Sequence, residues 1–107
     1  MEMTKRFAEA MRLMRRRDPQ LREDGFWALK PHAAEHVDEL IEAFHAEQDH
    51  GLRAWLFELI AEARDPKALP LLVRHLANEE LRMYAVHGLK ALNTKEARTA
   101  LYRDRAN

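Results

Sequence analysis

The chain has 107 residues, 18 Lys/Arg against 18 Asp/Glu, no cysteine or serine, 3 Gly and 4 Pro. That length is one domain, the missing Cys and Ser leave no disulfide, thiolate metal site or common covalent nucleophile, and the balanced charge argues against a polyanion-coating protein. No apolar run approaches the ~20 residues that cross a bilayer, and the first residues hold no signal-peptide core, so a cytoplasmic, non-membrane protein is expected.

Apolar periodicity predicts helices throughout. The first runs from Thr4 to about Arg17, with Phe7, Ala10, Met11 and Met14 on one stripe. Arg12, Arg15, Arg16 and Arg17 crowd its end, where the helix dipole favours cations. Asp18-Pro19 reads as a turn, and Gln20 to Leu29 as a second helix, which Lys30-Pro31 ends because Pro disfavours a helical residue before it. A third helix is expected over about Ala33–Glu47, then a polar loop from Gln48 to Gly51, then a fourth helix over Leu52–Ala63. Asp65-Pro66 opens a fifth, over about Lys67–Ala77, since Asp is a good N-cap and Pro is tolerated at the first helical position. The sixth spans Glu79–Leu92, capped at Asn78 or a neighbour, and the last runs from Lys95 to about Arg105 behind Thr94.

These elements repeat. LREDGFWAL from Leu21, LRAWLFELI from Leu52 and LRMYAVHGL from Leu81 start 31 and 29 residues apart. They align Gly25/Leu56/Ala85, Phe26/Phe57/Val86 and Leu29/Ile60/Leu89. The preceding helices align as Phe7/Ala10/Met11/Met14, Val37/Leu40/Ile41/Phe44 and Leu69/Leu72/Val73/Leu76. A period of about 30 residues holding two short helices is that of an α-solenoid. The expected fold is therefore all-α: a short right-handed solenoid of about three helical hairpins, repeats 4–31, 32–64 and 65–93, with a terminal half-repeat 94–107 in one 1–107 domain.

The Asp-Pro turns at 18–19 and 65–66 and the Leu-Arg opening of each second helix resemble HEAT-like repeats, the short kind found in bilin-lyase-like families. The resemblance covers almost the whole chain and implies a scaffold rather than an activity. It implies that the second helices line a concave face. It also implies that Arg22, Arg53 and Arg82 reach acidic groups in the turns, for which Asp18, Asp49 and Asp65 are the candidates.

Catalytic motifs are few. His32-Ala33-Ala34-Glu35-His36 matches the HxxEH of inverted zinc peptidases, but Pro31 puts His32 at a helix start, and those enzymes are large α/β proteins. No His is followed by Glu, as the HEAT-type di-iron hydroxylases require, and the three glycines are too scattered for a phosphate loop. A non-enzyme without metal or cofactor is expected.

The binding residues are those the second helices do not need for their core. Counted from each Leu at about 100° per residue, positions 0, +4, +5 and +8 centre near 65°. Positions +2, +3 and +6 fall on the far side, at about 200°, 300° and 240°. They hold Glu23, Asp24 and Trp27, then Ala54, Trp55 and Glu58, then Met83, Tyr84 and His87. Large aromatics on a face expected to be wet point to a protein partner, with Asp24, Trp27, Trp55, Glu58, Met83, Tyr84 and His87 as its candidate contacts. The alternative is a nucleic acid held by Arg12, Arg15, Arg16 and Arg17. The middle unit, 32–64, carries a net −6 between flanks of +3 each, a patterned field suited to a charged partner or to attraction between neighbouring units. The last helix caps the stack, or else this end stacks on a second copy.

Overall fold

The computed structural model describes residues 3–106. Met1, Glu2 and Asn107, the last residue of the expected half-repeat, lie outside the described residues. Among the described residues all regular structure is helical: α1 Lys5–Met14, α2 Pro19–Leu29, α3 Val37–Ala46, α4 His50–Glu62, α5 Leu69–Arg74, α6 Arg82–Leu92 and α7 Lys95–Ala106. No helix is long and apolar enough to cross a membrane. The body measures 42 × 24 × 21 Å.

Side-chain caps set most of the helix starts. The Thr4 hydroxyl accepts from Phe7 N–H (3.3 Å), Asp18 from Gln20 N–H (2.9 Å), Asp49 from Leu52 N–H (2.9 Å) and Thr94 from Ala97 N–H (3.1 Å). Asn78 accepts from Glu80 and Leu81 N–H in the turn leading into α6. Asp18, Asp49 and Asn78 each stand three residues before a Leu-Arg pair, so the cap repeats along with the core.

Five boundaries depart from the periodicity: α4 starts at His50, inside the expected polar loop, because Asp49 caps it, α6 starts at Arg82 rather than Glu79, and three others shift further. The first helix ends at Met14 rather than about Arg17: Asp18 leaves helical geometry to cap α2, and Arg15–Arg17 make the reversal. The chain after Pro31 does not enter α3 directly but runs as 3₁₀ turns over Lys30–His36, kinked at His32. The fifth helix is broken into a 3₁₀ turn Pro66–Ala68, α5 and a second 3₁₀ turn His75–Ala77, because Pro70 has no N–H to bond back to Pro66. That break turns the apolar face, so Leu71 is buried and Val73 is 39% exposed.

α1 packs on α2, α3 on α4 and α5 on α6, while α4 also packs on α6 and α6 on α7. Wedged between α3 and α6, α4 is apolar around most of its circumference: Leu56, Phe57, Leu59 and Ile60 are all fully buried. Phe7, Met14, Phe44 and Leu72 fill the core from the first helices. α1 and α2 meet most closely at Gly25, where an added Cβ would stand 2.6 Å from the Ala10 carbonyl oxygen. Gly25→Ala is therefore expected to cost about 1–2 kcal/mol in urea unfolding, although alanine favours helix, because a backbone oxygen cannot give way as a side chain can.

The Leu-Arg arginines do not form an Arg–Asp ladder; the aspartates are spent on helix caps. Arg53 Nε donates to the Phe44 carbonyl (3.2 Å), its guanidinium 3.9 Å from the Phe44 ring centre. Arg82 Nη1 donates to the Leu76 carbonyl (2.7 Å) and to Asp104 on α7 (3.0 Å). Phe44 and Leu76 are equivalent positions near the end of a first helix, so each arginine ties a hairpin by bonding a carbonyl there. Arg22 differs, lying 5.7 Å over the Trp55 ring.

One buried polar cluster ties α1 to α3. Glu39 Oε2 accepts from Thr4 N–H (2.7 Å), and Oε1 lies 2.7 Å from His36 Nδ1. His36 and Glu39 are 5% and 7% exposed, and the Phe7 ring lies 5.9 Å from the imidazole.

Candidate interaction surface

The predicted outward positions of α4 and α6 meet at Glu58 and Tyr84, whereas α2 reaches Trp55 through its inward residue Phe26. The Phe26 ring on α2 lies 4.9 Å from Trp55 on α4. Glu58 on α4 neighbours Tyr84 on α6: burial pushes the Tyr84 phenol up, and the Glu58 carboxylate raises it further. One turn on, Glu62 Oε1 sits 3.3 Å from His87 Nε2. Trp55, Glu58, Tyr84 and His87 thus belong to one continuous seam across two helices, and Trp27 joins it through Phe26, against which it packs edge to face at 5.7 Å.

Exposure divides these residues into two kinds. Trp55 and Tyr84 are half-buried and pack against the core, Glu58 is half-buried beside them, and His87 is exposed. Trp27 is 59% exposed and Met83 77% exposed. Asp24 is exposed and accepts from Gln20 Nε2 (2.9 Å), a contact within its own helix. No described contact joins Asp24 or Met83 to the seam, though both lie on its helices.

Periodicity alone missed three neighbours. Lys30 Nζ lies 4.8 Å from the Trp27 ring centre, a contact that the i, i+3 spacing on a helix makes possible. Such a cation–π contact contributes about 0.5–1 kcal/mol at an exposed site. Arg22 covers Trp55, and Glu62 supplies the carboxylate beside His87. Elsewhere, a hollow of about 300 Å³ opens between α1 and α3 over Phe7, Met11 and Ala43.

The arginine cluster is not uniform. Arg12 is held by Glu9 on its own helix (2.6 and 3.0 Å), and Arg15 pairs with Glu47 (2.8 Å). Among the described residues, Arg16 and Arg17 pair with no carboxylate.

His32 and His36 do not share a metal-binding face. His32 Nδ1 pairs with Glu35 (2.6 Å), whereas His36 is buried on Glu39. Among the described residues no three His, Cys, Asp or Glu side chains converge as a metal site would require.

No family model, curated protein or solved structure matches the chain.

Proposed function

We propose that the chain is a short HEAT-like α-solenoid acting as a non-catalytic protein-binding module, its partner held on the face formed by α2, α4 and α6. The observation that carries this reading is Trp27, 59% exposed and steadied by Lys30 at the edge of an aromatic seam. Exposing an indole forgoes its burial in the core, and rigid aromatics are what protein partners bury at binding hot spots. The repeat in sequence, the recurring Asp/Asp/Asn caps and the packing of α4 on α6 support the solenoid reading.

The partner's chemistry follows from the carboxylates around the seam. Glu58 lies beside Tyr84, Glu62 beside His87 and Glu23 beside Trp55 in a shared hollow, with Lys30 over Trp27. An amphipathic segment with one apolar stripe and basic flanks matches this pattern, as a partner helix would.

A photo-crosslinking amino acid at position 27, compared with one at exposed Glu96 on α7, tests the reading in cells. A discrete protein adduct at position 27 that is absent at 96 is expected. Identical adducts at both, or none at 27, would remove the face from consideration.

A further inference from the structure

We propose that the turn between α1 and α2 is a separate binding site for closely spaced phosphates, built from Arg16, Arg17 and Arg22. Arg15, Arg16, Arg17 and Arg22 line one hollow of about 340 Å³, whose only acidic lining residue is Asp49. Asp49 Oδ2 is already used by Leu52 N–H. Asp18 caps α2, Glu47 accepts from Gln48 and Asp49 N–H while pairing with Arg15, and Glu23 borders the neighbouring hollow rather than this one. Arg16, Arg17 and Arg22 thus line one concavity and, among the described residues, pair with no carboxylate, Asp49 being the negative charge on its wall.

The fold sets this up. Ending α1 at Met14 puts Arg15–Arg17 into the reversal, where all three line one hollow. Arg22, one turn into α2, closes the same hollow. Arg12 lies outside it and is neutralised by Glu9. The site is therefore not the whole Arg12, Arg15, Arg16 and Arg17 cluster of the sequence, since Arg12 drops out and Arg22 enters.

Like charges held together repel, and an anion relieves that repulsion. Guanidinium forks bind phosphate oxygens bidentately. An oligophosphate concentrates several negative charges into a group that fits the hollow, whereas an acidic peptide presents one per side chain. Arg22 also borders a second hollow, lined by Pro19, Glu23, Gly51 and Trp55, which would receive whatever the phosphates are attached to. The shared chemistry is consecutive phosphates, supplied by a free oligophosphate or by a single-stranded nucleic-acid backbone.

Titration calorimetry at low salt with inorganic tripolyphosphate, a ten-nucleotide single strand and poly-glutamate of matched charge tests this. Wild type is expected to bind at least one of the two phosphate probes more tightly than poly-glutamate. Arg16→Gln/Arg17→Gln should weaken that binding about tenfold or more, and Arg12→Gln by less than about twofold, with the far-UV CD spectrum unchanged. An oligonucleotide bound more tightly than tripolyphosphate, with affinity falling steeply with salt, assigns the backbone as source; the reverse order assigns a free oligophosphate. Failure of wild type to bind either phosphate probe, poly-glutamate bound as tightly, or equal losses in the Arg12 variant would overturn the proposal.

Discussion

Replacing Glu39 with alanine is expected to lower the unfolding free energy by about 3 kcal/mol and the Tm by about 12 °C or more. The carboxyl is one of two buried polar side chains among the described residues, and it satisfies two groups at once. Its removal strands the Thr4 N–H, which starts α1, and the Nδ1 of His36, whose Nε2 already has no partner. Leaving the buried His36 Nδ1 without its partner costs its desolvation, α1 loses the tie at its exposed start, and the deleted side chain opens a void beside Phe7. Glu39→Gln keeps an oxygen for Thr4 but offers Nδ1 a second, mismatched choice, so about half the loss is expected. Thermal unfolding followed by CD measures all three. An alanine variant melting within about 3 °C of wild type would show that the cluster is incidental to the tie between α1 and α3.

That cluster also marks where sequence reading reaches its limit. Helix-by-helix periodicity located every helix, because each apolar stripe is a local property of a few turns: Phe7/Ala10/Met11/Met14 and Leu52/Leu56/Phe57/Ile60 are all buried. The Thr4–Glu39 contact spans 35 residues, and nothing local distinguishes Glu39 from its solvated neighbours Asp38 and Glu42. Val73 failed for another reason. Its stripe assumed an unbroken helix, and Pro70 shifts the register by interposing 3₁₀ turns.

The surface was legible to about the same depth. Angular bookkeeping on one helix put Trp27, Trp55 and Tyr84 on a single outward side, and exposure separates them because helices have neighbours. Trp55 stands beside Phe26 of the preceding hairpin and Tyr84 beside Glu58, whereas the described ring contacts of Trp27, with Phe26 and Lys30, lie within its own hairpin. The arginines turn on a boundary of three residues. Read as helix, Arg15–Arg17 spread over different directions; read as turn, they line one hollow.

Trp27→Ala and Trp55→Ala are expected to have opposite consequences. Trp55 is half-buried against Phe26 and Arg22, so its truncation should cost about 2–3 kcal/mol of stability in urea unfolding. Trp27 keeps most of its surface in water and touches Phe26 and Lys30 only along one side, so its loss should cost no more than about 1 kcal/mol. For the partner captured at position 27 the order reverses. Trp27→Ala should weaken binding at least tenfold, an indole at a hot spot contributing about 2 kcal/mol or more, while Trp55→Ala, assayed where it is still folded, should weaken it less. Affinities of the two variants for that partner, set beside their unfolding curves, decide the matter. Binding that follows stability in both would make the seam a packing feature of adjacent hairpins. Binding that is lost with Trp27 while the fold stays intact would leave recognition as the reason for exposing this side chain.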